Sequence, residues 1–259
     1  MRPIVLPKRV CRRMDVAVEA RCGWVCYRLS PRGAAVTSHA LYLHGGGYVA
    51  EIAPIQWHAV AEIAQAANAE ITVPIYPLAP IGTAESVIAT AVAITAQVSS
   101  ERPSGIQLLG DSAGGGMALA VAQQLYSQSL PQPRRLILIA PWLDITLVDP
   151  AVARIARTDA MLDVPGLIEA GRMYAGELAA EDPRVSPIRG ELAGLPPISL
   201  FSGTADLVHP DSRALVERAA AEGIDIDYHE CERGQHCYPL LPTREGRQAR
   251  RVIAALLRA

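Results

Sequence analysis

Residues 108–120 read Leu-Leu-Gly-Asp-Ser-Ala-Gly-Gly-Gly-Met-Ala-Leu-Ala, and how they are read decides the fold. Ile106 to Leu109 is a short apolar run of the kind that forms a buried strand, while Ala113 to Gln128 carries apolar residues at helical spacing. Ser112 therefore falls on a turn between strand and helix, inside Gly110-Asp111-Ser112-Ala113-Gly114. That G-x-S-x-G pattern is a sharp turn that raises a serine hydroxyl above a sheet. Five residues alone would equally describe a small-residue turn packing a helix on a strand. The strand before and the helix after strengthen the chemical reading.

Outward from this turn, strand signals recur at Asp15 to Ala20, Trp24 to Leu29, Leu41 to His44, Ile71 to Ile75, Leu136 to Ala140, Ile198 to Ser202 and Ile226 to Glu230. Helical stretches lie between the later ones, at Gln56 to Ala67, Ala84 to Val98 and Ser212 to Ala221, with a last at Arg247 to Leu257. Such alternation predicts an α/β fold, a mostly parallel eight-stranded sheet with helices on both faces. The short link Arg21 to Gly23 makes the first two strands an antiparallel hairpin at one edge. Leu143 to Leu195 carries helical pieces around Pro165 to Ala175 but no strand, and reads as a lid-like insertion above the sheet. One domain over residues 1–259 is expected, with a short N-terminal segment and the edge hairpin in residues 1–35.

The 259 residues, 50% hydrophobic with a net charge of -2, suffice for one good-sized core and leave no basic stripe for a nucleic acid. No run approaches the ~18 apolar residues of a membrane span. The N-terminus lacks the apolar stretch of a secretory signal, so a cytoplasmic protein is expected. Cys11, Cys22, Cys26, Cys231 and Cys237 are an odd, scattered set and no disulfide framework. Cys22 and Cys26 read as small hydrophobes on one strand face rather than metal ligands. No metal or cofactor is called for.

A serine hydroxyl is a poor nucleophile until a base takes its proton. Functional groups of an open α/β sheet gather beyond the carboxyl ends of its strands. His236, in the glycine-containing loop after the last strand, fits that place. His229 lies inside a strand, His39 before one and His58 in a helix. Asp206, after the seventh strand, is the orienting acid. Asp211 is the runner-up but stands where a helix N-cap belongs, and His209 is too near Asp206 in the chain to bridge to Ser112. The order Ser, Asp, His is that of α/β-hydrolases. Backbone N–H donors for a developing oxyanion are expected from Ala113, at the start of the helix, and from the loop His44-Gly45-Gly46-Gly47-Tyr48.

Taken together, HGGGY at His44 to Tyr48, GDSAGGG at Gly110 to Gly116, PWLD at Pro141 to Asp144, DPRVSP at Asp182 to Pro187, GTADLVHPDS at Gly203 to Ser212 and GQH at Gly234 to His236 resemble the bacterial hormone-sensitive lipase family of carboxylesterases. The resemblance runs from Leu41 to the C-terminus. It implies an α/β-hydrolase fold, Ser112, Asp206 and His236 as catalytic triad, and Gly46, Gly47 and Ala113 as oxyanion donors, with Gly45 shaping the loop and His44 structural. Two departures stand out. Where the family carries Y-R-L-A-P-E, this chain has Tyr76-Pro77-Leu78-Ala79-Pro80-Ile81. Only some forty residues precede the glycine loop, which predicts a reduced cap.

The expected reaction is hydrolysis of a small-molecule ester through an acyl-enzyme, with short acyl chains because a small cap offers little apolar wall. Tyr48, Trp57, Trp142, Met161 and Met173 are the candidate wall residues, each equally suited to core or surface. The alternatives are a lactone, amide or acetyl-group hydrolase on the same triad, a non-catalytic ligand-binding homologue, or regulation through a low-pKa thiol at Cys237 or Cys231. The last strand and helix allow two copies to pair as a homodimer, although nothing in Ile226 to Glu230 compels it.

Overall fold

Eight strands form where the apolar runs lie: β1 (Met14–Arg21), β2 (Trp24–Pro31), β3 (Ser38–Leu43), β4 (Ala69–Ile75), β5 (Gln107–Asp111), β6 (Arg135–Ile139), β7 (Ile198–Gly203) and β8 (Ile226–Cys231). The structure is a computed structural model and describes residues 4–259. The strands build one sheet in the order β1-β2-β4-β3-β5-β6-β7-β8. β1 pairs antiparallel with β2 and β2 antiparallel with β4, while the remaining pairs are parallel. This is the mostly parallel α/β-hydrolase sheet expected from the alternation of strands and helices.

The helices are α1 (Lys8–Arg13), α2 (Pro54–Ala67), α3 (Ala84–Ser100), α4 (Ala113–Ser127), α5 (Val152–Ile155), α6 (Val164–Ala175), α7 (His209–Ala221) and α8 (Arg244–Arg258). Two cores follow from the strand period of two. Leu41 and Leu43 of β3, Leu108 of β5 and Leu136 and Leu138 of β6 face the core under α3 and α4. Their alternates Ala40, Tyr42, Leu109, Ile137 and Ile139 face the core under α2 and α8. α8 joins the second core along Ala249, Ile253, Ala254 and Leu257, a stripe at helical spacing, and Thr243 caps its start by accepting the Gly246 N–H at 3.0 Å.

The chain order places the site. From β3 the chain crosses to β4 on one side, then returns to form β5 on the other side of β3. The loops after β3 and β5 thus diverge from neighbouring strand ends, and such a switch point opens a crevice. The loops after β7 and β8 flank it, and residues 140–197, which contain no strand, pass between β6 and β7.

Three local expectations are corrected. α7 begins at His209 rather than Ser212, because Pro210 sits comfortably in a first helical turn. α1, six residues long, escaped the periodicity reading. Cys22 and Cys26 share no face: Cys22 is exposed in the β1–β2 turn at φ +47°, whereas Cys26 is buried in β2. All five cysteines are free. Among the described residues no group of three or more His, Cys, Asp or Glu side chains is placed to hold a metal, and no helix is long and apolar enough to cross a membrane.

Candidate active site

Ser112 occupies the turn between β5 and α4 at φ +53° and ψ -122°, a conformation that costs a non-glycine residue about 1–3 kcal/mol. Its surroundings over-determine it. The Ser112 N–H donates to the Ile139 carbonyl at 2.9 Å, and the Ser112 carbonyl accepts from Gly115, Gly116 and Trp142 at 2.9–3.0 Å. The flanking glycines are sterically required. A Cβ on Gly110 would lie 2.1 Å from the Gly114 carbonyl oxygen, and one on Gly114 would lie 2.0 Å from that of Leu43.

The loops after β7 and β8 bring Asp206 and His236 to the same point. The Asp206 carboxylate lies 2.9 and 3.0 Å from His236 Nδ1, and His236 Nε2 lies 2.9 Å from Ser112 Oγ. A carboxylate against Nδ1 selects the tautomer protonated there, which leaves the Nε2 lone pair for the serine proton. The two loops are clamped to each other. Thr204 and Ala205 donate their N–H groups to the carbonyls of Cys231 and Gly234, each at 3.0 Å. Asp206 is fully buried and His236 is 5% exposed. Burial alone would pull the imidazole pKa down, but the charge of Asp206 and its hydrogen bond outweigh this and hold it above the ordinary histidine value.

The glycine loop after β3 is pinned on three sides. Gly45 donates its N–H to Asp111 at 2.9 Å, and the Tyr76 hydroxyl donates to the His44 carbonyl at 2.8 Å. The His44 ring stacks on Tyr76 at 4.3 Å, and the Tyr48 ring stacks on Tyr174 at 3.5 Å. Gly46 and Gly47 line the cleft beside Ser112. The N–H groups of Gly46, Gly47 and Ala113 make no hydrogen bond to any described residue, so all three remain available as donors. In the departing segment after β4, Tyr76 keeps a role in holding this loop, whereas Ile81 is 89% exposed.

Asp111 was not singled out from the sequence. It is 2% exposed at the end of β5, and its carboxylate accepts from the Tyr42 hydroxyl, the Gly45 N–H and the Gln56 side-chain amide. These donors come from β3, the glycine loop and α2, so one buried carboxylate ties the Ser112 turn to the glycine loop. The readable signal was a carboxylate between Gly110 and Ser112 at a strand end buried throughout, where a charge must find partners.

The cleft in front of Ser112 has a volume of about 400 Å³, with Val49, Ile55, Met161, Leu162, Leu167 and Leu240 among its walls. Of the five wall residues named from sequence, Met161 is there and four are not. Tyr48 and Trp142 pack against each other at 5.7 Å as core, and Trp57 packs edge-on to Tyr27 at 5.4 Å on the other side of the sheet. Met173 faces a different surface hollow with Pro80 and Thr83. Large aromatic area is best satisfied by complete burial, and the wall is instead made of aliphatic residues from α2, the 161–170 segment and the chain after His236.

One further expectation, and one of the alternatives, give way. Asp211 is no N-cap: it lies within the first turn of α7, and its buried carboxylate accepts the N–H groups of Leu143 and Asp144, each at 3.0 Å. Burial pushes its pKa up to about 7, against the lowering effect of those two bonds. Cys237 is no activated thiol. Burial, with Asp111 and Asp206 nearby, pushes it well above the usual thiol range, and Cys231 is raised too, chiefly by burial. His209 bonds Ser202 at 3.0 Å, and His229 stacks on Phe201 at 4.4 Å, both apart from the Ser112 hydroxyl.

Known proteins share this arrangement of elements. The profile of a family described as having the alpha/beta hydrolase fold matches residues 40–240. A triacylglycerol lipase of Mycobacterium tuberculosis is 31% identical over 192 residues, which are 73% of this chain but only 39% of the lipase. An acetyl-hydrolase of Streptomyces hygroscopicus is 32% identical over 84% of this chain and 74% of its own. Among solved structures, an esterase from the bacterial hormone-sensitive lipase family aligns with a TM-score of 0.87 at 29% identity, over 98% of this chain and 86% of its own.

Proposed function

The chain belongs to the α/β-hydrolase fold family matched over residues 40–240, and from that membership we propose that it is a serine carboxylester hydrolase acting on small-molecule esters through Ser112, His236 and Asp206. The observation that carries this reading is the unbroken line of contacts from Asp206 through His236 to Ser112 Oγ, each 2.9 Å at its shortest, ending in an apolar cleft. Relatives named triacylglycerol lipase and acetyl-hydrolase support it.

In this mechanism His236 Nε2 takes the Ser112 proton as Oγ bonds to the ester carbonyl carbon, and Asp206 holds the resulting imidazolium. The carbonyl oxygen becomes an oxyanion against the N–H groups of Gly46, Gly47 and Ala113, where each fixed donor is worth about 10²–10³ in rate. The imidazolium then protonates the leaving alcohol, and water, activated by His236, releases the acid from Ser112. The cleft volume of about 400 Å³ must hold both acyl and alcohol parts, which favours short acyl chains. Residues 143–195 serve as its lid. Five free cysteines suit a reducing, cytoplasmic setting.

The test is turnover of p-nitrophenyl esters from C2 to C12 by the wild type and by Ser112→Ala. Hydrolysis greatest at C2–C4 and abolished in the variant is expected. Undiminished hydrolysis by Ser112→Ala would overturn the reading, and faster turnover of a lactone or amide than of any ester would move the substrate class.

A further inference from the structure

The turn that carries Met161 and Leu162 into the cleft is bonded to residues beside both the acid and the base. Asp159 Oδ1 accepts the N–H groups of Met161 at 2.7 Å and Leu162 at 2.9 Å. Its Oδ2 accepts the N–H of Leu207, the residue after Asp206, at 2.7 Å. A longer bond, 3.4 Å, runs from the Ala160 N–H to the side-chain oxygen of Gln235, the residue before His236. One carboxylate thus spans two loops whose chain positions are 48 residues apart, and the cleft wall and the acid loop share it.

We propose that Asp159 is a positioning and specificity-determining residue: its two oxygens lock the Met161–Leu162 wall to the loop that carries Asp206, so that the width of the cleft is set by the same loop that aims the base. The inference rests on the esterase reading of this site. Its physical basis is the divided use of the carboxylate. Three N–H donors need two acceptor oxygens pointing in different directions, which a carboxylate supplies and an isosteric amide does not. Without the bond to Leu207, the 159–162 turn keeps its local shape but loses its tie to the triad. Asp159 also adds to the negative charge that Asp206 and Asp111 place around His236, which favours the imidazolium.

Asp159→Asn tests this, because it preserves size while replacing one acceptor with a donor. Expected are an exchange rate at the Leu207 amide raised about tenfold or more, a KM for p-nitrophenyl butyrate raised about threefold relative to acetate, and an acid limb of kcat/KM moved toward lower pH. A role confined to general stability would lower both esters' kcat/KM together and leave the limb in place. A folded variant with wild-type Leu207 exchange and an unchanged butyrate-to-acetate KM ratio overturns the proposal. Should the variant not fold, hydrogen exchange of the wild type decides: the Met161, Leu162 and Leu207 amides open as one unit if the lock exists, and independent opening of Leu207 refutes it. A wild type without Ser112-dependent ester turnover defeats the esterase reading instead, and the exchange measurement still reads the lock.

Discussion

The Cys237 thiol donates to the Asp111 carboxylate, with Sγ 3.6 Å from Oδ2, so the residue after His236 meets the residue before Ser112. The contact closes a ring around the site, because the same carboxylate already holds Gly45 and Gln56. A thiol in this place is a structural donor. Its burial and the two nearby carboxylates keep it protonated, and only a thiolate reacts readily. Iodoacetamide is therefore expected to label the exposed Cys11 and Cys22 and leave ester turnover unchanged. Mass spectrometry locates the label, and activity lost in step with modification of Cys237 contradicts the assignment.

Asp111→Asn keeps the shape of the hub but presents an amide N–H₂ to a shell of donors. Hydrogen bonds to a buried charge are each worth about 1.5–3 kcal/mol, so the variant is expected to lose about 2 kcal/mol or more of stability. Because the Gly45 bond anchors the glycine loop, kcat should fall more than KM rises. Chemical denaturation and steady-state kinetics measure the two effects, and a variant of wild-type stability and kcat would show that the hub is dispensable.

What the sequence revealed, and what it hid, divides by locality. β5, the turn at Ser112 and the loop at His236 were legible because an apolar run, a glycine and a polar residue sit within a few positions of one another. Asp206 was readable from its place after the seventh strand and from the motif around it, whereas the capping role read for Asp211 was not what that residue does: it braces the backbone of Leu143 and Asp144. The cleft wall was illegible. It depends on how residues 140–197 fold back across the strand ends, and no periodicity in that stretch says that Leu162 and Leu167 reach the cleft while Trp142 does not. The aromatic candidates Tyr48, Trp57 and Trp142 carry large apolar areas that are best satisfied in the cores, where all three lie.

In the proposed mechanism, protonation of His236 removes the lone pair that accepts the Ser112 proton, so kcat/KM is expected to fall as pH drops through the imidazole pKa. Burial opposes the charged form, but Asp206 outweighs it, which places the acid limb above the ordinary histidine value near 6.5. Asp206→Asn removes that charge and is expected to shift the limb to lower pH while cutting the rate by about 10⁴. A pH profile of each enzyme with p-nitrophenyl acetate checks both statements. A wild-type limb well below 6 would mean that burial wins.

Asp211 gives the fold a pH dependence of its own. Its carboxyl has a pKa of about 7 when folded, against about 3.9 for an unfolded aspartate, so between these values the folded chain binds more protons than the unfolded one. Stability contributed by this group is therefore greatest below pH 4, declines as pH rises through the window, and levels off above about 7. Asp211→Asn cannot ionise and still offers one oxygen to the N–H groups of Leu143 and Asp144, so that slope should vanish even if the absolute Tm shifts. Asp211→Ala, which removes the acceptor for both N–H groups, should lower Tm throughout and loosen the start of the segment over the cleft. Melting curves from pH 5 to 8 decide the matter: the wild type should lose more Tm across this range than Asp211→Asn, and parallel curves would mean that burial does not raise the carboxyl's pKa into this window.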